Sequence, residues 1–468
     1  MALNRSNKKV PMPAQDAQAR ARNFDEVALG YTLEQAMEEA ARCLNCKHKP
    51  CVNGCPVRID IPAFIKAIAE DNTEEAFLIL NRSSALPAVC GRVCPQESQC
   101  EQRCVRAFKG ESVAIGRLER YAADWYRASA CKLPPAPEPN GHRVAVVGAG
   151  PGGLTAAGEL ARMGYAVSIF EALHLPGGVL TYGIPEFRLP KDIVIAEVEF
   201  LKRLGVEVHM NTVIGKTLTV DELLEMGFEA IFIASGAGLP RFMGIPGESL
   251  KGVYSANEYL TRINLMRAYE RDALTPIMRG QHVAVVGGGN VAMDAARCAM
   301  RLGAQDVSIV YRRGMKELPA RAEEVEHAQE EGITFHTLTN PVQILGDEKG
   351  WVRGLECVRM VLGEPDASGR SRPIVQAGSN FELEADVVII AIGTSSNPLI
   401  RLTTPGLNTN EWGSIVVYGP GGETSRQRVY AGGDVVTGSA TVIQAMGAGK
   451  DAAIAIDRMI RQQKAQDK

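Results

Sequence analysis

Two strand–glycine turn–helix units constrain this 468-residue chain more than any other feature. The apolar run 144–147 leads into Gly148, Gly150 and Gly153, spaced G-x-G-x-x-G. The run 283–286 leads into Gly287, Gly289 and Ala292 at the same spacing. Such glycines let the chain turn sharply and let a pyrophosphate approach the N–H groups at a helix start. Each unit has a later apolar run ending in small residues, at 230–237 and 387–394. From His142 onward short apolar runs alternate with helical segments, the pattern of a parallel α/β sheet. A last glycine-rich segment, Gly432-Gly433-Asp434, follows both units. The second nucleotide-binding unit is therefore expected to be inserted within the first.

The first unit suits FAD. Gly148, Gly150, Pro151, Gly152 and Gly153 form the turn. Glu171 ends the next strand, where an acid can accept bonds from an adenosine ribose. Asp434 follows a strand and is placed to hold the pyrophosphate–ribitol end. The helix opening at Thr441 and Val442 would point its positive end at the isoalloxazine. Without a ligand, the same residues describe an ordinary capped helix. The second unit suits NADP(H). Asn290 and Val291 open its helix, and its second strand runs into Arg312 and Arg313 with no acid. Arginine at that place suits a 2′-phosphate. The competing reading is a solvated charged turn.

Eight of eleven cysteines crowd between Cys43 and Cys104. Their spacing is Cys43-x2-Cys46-x4-Cys51-x3-Cys55-Pro56, then Cys90-x3-Cys94-Pro95, Cys100 and Cys104. Bacterial ferredoxins use a related run in which the cysteine before proline ligates the other cluster. On that logic Cys43, Cys46 and Cys51 share one [4Fe–4S] cluster, and Cys55, Cys94, Cys100 and Cys104 hold a second. The first then needs a fourth ligand, either Cys90 or a non-cysteine side chain. Structural zinc is the rival reading, but two C-x-x-C pairs would favour it and the block has one. Cys131, Cys298 and Cys357 stand alone and read as small buried hydrophobes. None is positioned to give a flavin a dithiol outlet, so the cysteine block is the expected redox exit.

Size and composition agree. The length suggests about three domains, and net charge −3 leaves no nucleic-acid footprint. No apolar leader opens the sequence and no apolar run is long enough for a bilayer, so a cytoplasmic protein is expected. Clustered thiols in that compartment read as metal ligands. The expected fold is an α/β two-dinucleotide-binding (Rossmann-like) flavoprotein with an N-terminal α-helical iron–sulfur domain. Residues 1–135 would bind the clusters. Residues 140–265 and 395–468 would bind FAD, and 266–394 would bind NADP(H). A proline-rich linker at 132–141 separates the first two. Thr32 and Gln35 form a capping box before one helix, and Asp60 caps another whose buried face is Ile61, Phe64, Ile65 and Ile68.

The cysteine block, the segment 176–191, Arg312-Arg313 with the run 319–324, and Gly432-Gly433-Asp434 resemble the small-subunit family of NADPH-dependent glutamate synthase. The large subunit of the electron-bifurcating NADH-dependent ferredoxin:NADP oxidoreductase and the N-terminal region of dihydropyrimidine dehydrogenase are similar too. The resemblance implies FAD, NADP(H) and two [4Fe–4S] clusters. It also implies that Glu119, in Ile115-Gly-Arg-Leu-Glu119, joins Cys43, Cys46 and Cys51, leaving Cys90 a non-ligand. Gly177, Gly178 and Arg188 would lie near the flavin and the arriving nicotinamide. The implied activity moves hydride from NADPH to FAD, with no acid–base catalytic residue required. Single electrons then pass through the clusters to a second redox subunit. That partner is the glutamate synthase large subunit or, in the alternative, a small NAD-binding flavoprotein with a [2Fe–2S] cluster, with ferredoxin a further acceptor. A zinc-stabilised scaffold without activity is the remaining reading.

Overall fold

The computed structural model describes residues 3–129, 137–365 and 369–466. Cys131 and linker positions 132–136 lie outside them. The N-terminal region is helical. The capping box forms: Thr32 Oγ1 accepts from the Gln35 N–H, and Gln35 Oε1 accepts from the Thr32 N–H at 3.0 Å, starting helix Leu33–Ala40. Helix Ile61–Ala69 buries Ile61, Phe64, Ile65 and Ile68 as the pattern requires. Asp60 does not cap it with its side chain; the carboxylate instead takes Lys49 Nζ at 2.8 Å. Helices Thr73–Asn81, Pro87–Val93 and Ile115–Ala128 complete this layer.

Two five-stranded parallel sheets follow. The first runs, edge to edge, Val429–Ala431, Ala230–Ile233, Arg143–Val147, Ala166–Phe170 and Glu207–His209. The second runs Val253–Ser255, Val387–Ile390, His282–Val286, Asp306–Tyr311 and Thr334–Thr337. Central strands buried on both faces explain the continuous apolar runs. The late strand Val429–Ala431 completes the first sheet, so the second sheet is interposed in sequence. Its start differs from the expected boundary at 265/266. Val253–Ser255 already pairs with Val387–Ile390 in the second sheet, and helix Ala256–Asn264 follows it. Leu239–Pro240 pairs antiparallel with Thr394–Ser395 where the chain leaves and returns. An antiparallel set, Thr339–Gly346, Val352–Pro365, Ser371–Val375 and Phe381–Glu384, is a further addition the sequence pattern did not reveal.

Helix Pro151–Arg162, which follows the first turn, packs along the C-terminal helix Val442–Gln466. Among the described residues no helix is long and apolar enough to cross a membrane.

Candidate functional site

At the first turn Gly148 holds φ +104°, and its N–H donates to the Phe170 carbonyl at 2.8 Å. A Cβ on Gly153 would lie 1.9 Å from the Gly148 carbonyl oxygen, whereas one on Gly150 would meet nothing within 4 Å. The turn is closed behind and open in front, a cradle that fits a pyrophosphate. Glu171 sits beneath it. Its carboxylate accepts from the Ala149 N–H at 2.7 Å and the Leu173 N–H at 2.8 Å. Burial raises its pKa against those bonds. Gly178 presses on the same turn, since its Cβ would come 2.9 Å from Gly150 Cα. Gly433 lies against Ala445 of the C-terminal helix, and Asp434 accepts from the Ala440 N–H at 3.2 Å. Thr441 caps that helix, accepting from the Gln444 N–H at 3.3 Å, and Val442 begins it. Pro151 and Gly152 open the first fingerprint helix, with Gly152 also against Ala445. The structure thus gathers these expected residues at the carboxyl ends of the first sheet's strands. Tyr182, which residue reasoning missed, belongs with them. Burial and the Asp434 and Glu171 carboxylates push its phenol up to about 12. Its one sequence signal is its place in the segment 176–191.

Arg188 joins two regions. Its guanidinium is buried against Asp294, at 2.7 Å, and Glu324, at 3.0 Å. It ties the first nucleotide region to the second.

At the second turn Gly287 donates to the Val310 carbonyl at 3.0 Å, and a Cβ on Gly289 again meets nothing. Asn290 accepts from the Arg321 N–H at 2.9 Å, while Val291 is exposed at the start of helix Asn290–Arg301. The two arginines separate. Arg312 faces solvent, but Arg313 turns inward and donates to the Ser371 carbonyl at 2.9 Å. Both lie in the bend just beyond strand Asp306–Tyr311, and that bend turns one outward and the other inward. Arg312 is left as the candidate 2′-phosphate reader.

The cysteines fall into two groups. Cys43, Cys46, Cys51 and Cys104 line one small apolar cavity with Pro50 and Ile65. Burial, followed by the charges of Cys43 and Cys104, pushes the Cys51 thiol up to about 12. Cys55, Cys94, Cys100 and Glu119 form the other group. Burial raises the Cys55 thiol to about 11, with Glu119 and Cys90 adding to the shift. Cys100 rises for the same first reason, and Glu101, Cys55 and Glu119 contribute. Cys104 and Glu119 have therefore exchanged places relative to the expected ligand sets. The cause is a helix crossing. A Cβ on Gly91 would lie 2.5 Å from the Arg120 backbone nitrogen, so helix Ile115–Ala128 lies directly on Pro87–Val93. That contact turns Glu119 toward Cys94, while the turn at 105–108 carries Cys104 over the other cavity.

Glu119 is 6% exposed, and its Oε1 has no hydrogen-bond partner among the described residues. Burial and the Glu197 carboxylate push it up to about 8. An orphaned carboxyl oxygen among three thiols fits the fourth ligand of an iron–sulfur cluster. Among the described residues no three His, Cys, Asp or Glu side chains converge closely enough for a single metal ion. Cys90 is wholly buried, 3.4 Å from the Met446 sulfur and near Cys94. Cys298 and Cys357 are buried and isolated, as expected.

Two family profiles match. Dihydropyrimidine dehydrogenase domain II, 4Fe-4S cluster, covers residues 20–131, and pyridine nucleotide-disulphide oxidoreductase covers residues 142–449. The chain is 41% identical to the NADP(+)-dependent formate dehydrogenase subunit beta of Moorella thermoacetica, over 88% of its own length and 60% of that protein's. It is 37% identical to the glutamate synthase [NADPH] small chain of Halomonas elongata, over 93% of each. With the NADPH-Fe(3+) oxidoreductase subunit beta of Geobacter sulfurreducens it shares 38% identity, over 89% of this chain and 64% of that one. Among solved structures, Mycobacterium tuberculosis FprA in complex with NADPH superposes with a TM-score of 0.58 at 23% identity, covering 70% of this chain and 86% of that one. The thioredoxin reductase of T. acidophilum gives 0.51 at 22% identity, over 67% of this chain and 96% of that one. Those two likenesses concern the fold of the nucleotide-binding sheets.

Proposed function

The chain belongs to the glutamate synthase small-chain family of NADP-dependent iron–sulfur flavoprotein oxidoreductases, and from that premise we propose that it is the electron-input subunit of a two-component redox enzyme. When bound, FAD would supply a hydride acceptor for NADPH, and two [4Fe–4S] clusters would supply one-electron transfer toward a partner subunit of the glutamate synthase large-subunit type.

Each region of the chain has a part in this reading. Gly148–Gly153, Glu171, Gly178, Asp434 and Thr441 hold and orient the flavin dinucleotide. Gly287, Gly289, Asn290, Val291 and Arg312 hold NADPH. Cys43, Cys46, Cys51 and Cys104 ligate one cluster, and Cys55, Cys94, Cys100 and Glu119 the other. The FAD-binding domain takes 140 to about 240 and 395 onward, with the NADP(H)-binding domain between. One observation carries the proposal. The C-terminal helix starts at the flavin cradle and, within two turns, sets Met446 on Cys90 and Gly447 on Pro56. A single rigid element thus joins the first cradle to the Cys55 group, which supports an exit from flavin to that group first.

The test is an anaerobic titration with NADPH and then NADH, followed by visible absorbance and low-temperature EPR. NADPH should bleach a flavin band that NADH bleaches poorly. C46S and C104S should remove the same cluster signal, while E119A alters the other. A colourless protein with no bleaching would sink the proposal.

A further inference from the structure

Between the cysteine-bearing helices and the second sheet lies a cavity of about 200 Å³. Neither nucleotide cradle nor either thiol group uses it. Two guanidinium groups on its wall stand out: Arg321, with one unpartnered buried nitrogen, and half-buried Arg117, which has no ion pair among the described residues. Arg321 is 8% exposed. Its Nη atoms donate to the Arg92 carbonyl, Gln96 Oε1 and Glu323, but its buried Nε makes no hydrogen bond among the described residues, and Glu97 approaches it only to 3.5 Å. Across the cavity, Arg117 donates to the Val10 carbonyl at 3.0 Å and meets the Tyr31 hydroxyl. Among the described residues no carboxylate comes within 4 Å of Arg117 in an ion pair, although Glu101 and Glu323 act on it from farther off.

A buried donor left unused costs about 1–3 kcal/mol, more when charged. Planar guanidinium groups match carboxylates in both charge and geometry. The volume is below the roughly 300–1,000 Å³ of drug-sized and cofactor pockets, so a small molecule fits and a nucleotide does not. We propose that this cavity binds a small dicarboxylate, held between Arg117 of the cysteine-rich region and Arg321 of the second nucleotide region. Bound there, it bridges the two regions and stiffens their junction, a regulatory site separate from the redox path.

Isothermal titration of the holoprotein with succinate, at constant ionic strength, tests this without any redox readout. Saturable binding is expected, with R117Q weakening it about tenfold or more. A second variant leaves the buried groups intact: A322W, placed on the exposed wall residue Ala322, should plug the mouth and abolish binding. Absence of binding to the parent protein overturns the proposal. So does equal affinity for inorganic phosphate, or binding unchanged in both R117Q and A322W.

Discussion

The two parallel sheets share one strand order but close their helices onto each other by different means. In both, the fingerprint strand is central, flanked on one side by the strands that follow and on the other by a later strand and an edge strand. The first borrows that edge strand from residues 429–431, and the second takes it from 253–255. In the first region two helices meet backbone to backbone. A Cβ on Gly449 of the C-terminal helix would lie 2.2 Å from the Gly152 carbonyl oxygen. In the second region helix Asn290–Arg301 closes through buried charge. Arg297 and Arg301 reach Glu331 at 2.7 Å each, and both guanidinium groups stack on Phe187. One architecture therefore tolerates either close contact bought with missing side chains or wider contact filled by compensated ions. The same contrast recurs at the strand ends, where Glu171 is buried and bonded to backbone N–H groups and Arg312 faces solvent.

The contrast can be broken most strongly at Glu331, which also takes Arg20 at 3.0 Å. E331A leaves three arginines without it and should cost about 4 kcal/mol, read from the midpoint of chemical denaturation. The pH dependence has a definite sign. Burial alone would raise the Glu331 carboxyl, but hydrogen bonds from Arg301 and Arg297 override it and pull it down to about 2. Its stabilisation is complete above its ordinary value near 4.5 and is lost as pH falls toward 2. Denaturation midpoints measured from pH 7 to pH 4 should therefore fall less steeply in E331Q than in the parent.

Next in size is G153A, whose added Cβ collides with the Gly148 carbonyl. It should cost about 3 kcal/mol and lower the flavin bound per chain, measured by absorbance after purification. R312A addresses function. It should raise the KM for NADPH about tenfold and leave that for NADH unchanged. R313A should act on stability instead, because its side chain serves Ser371; equal KM effects from the two would erase the distinction. The smallest effect is expected at Ala292, which occupies the second turn where the first has Gly153. A292G should cost about 1 kcal/mol, so a loss as large as that of G153A would deny that the turns differ in tightness.

Much of this molecule is legible in contiguous residues. The glycine turns, the Thr32 capping box and the apolar strands depend on neighbours in sequence, and each forms where the pattern places it. The candidate site was legible in its members but less so in their partnerships. Arg188 was expected near the flavin and the arriving nicotinamide, and its ion pairs with Asp294 and Glu324 of another region show only in the fold. Arg312 and Arg313 look equivalent in the sequence, and the bend that follows the strand separates them. The boundary at 265/266 missed Val253–Ser255 because a three-residue edge strand shows its sheet only through its pairing.

The cysteine block marks the division most clearly. By itself the sequence determined that eight thiols lie within one helical region and that two phosphate-binding turns follow, since spacing and composition suffice for both. Only the tertiary structure decided that Cys104 joins Cys43, Cys46 and Cys51 while Glu119 joins Cys55, Cys94 and Cys100. That choice depends on how closely two helices cross at Gly91 and Arg120, and a crossing distance is set by packing between segments remote in sequence, which no local spacing records.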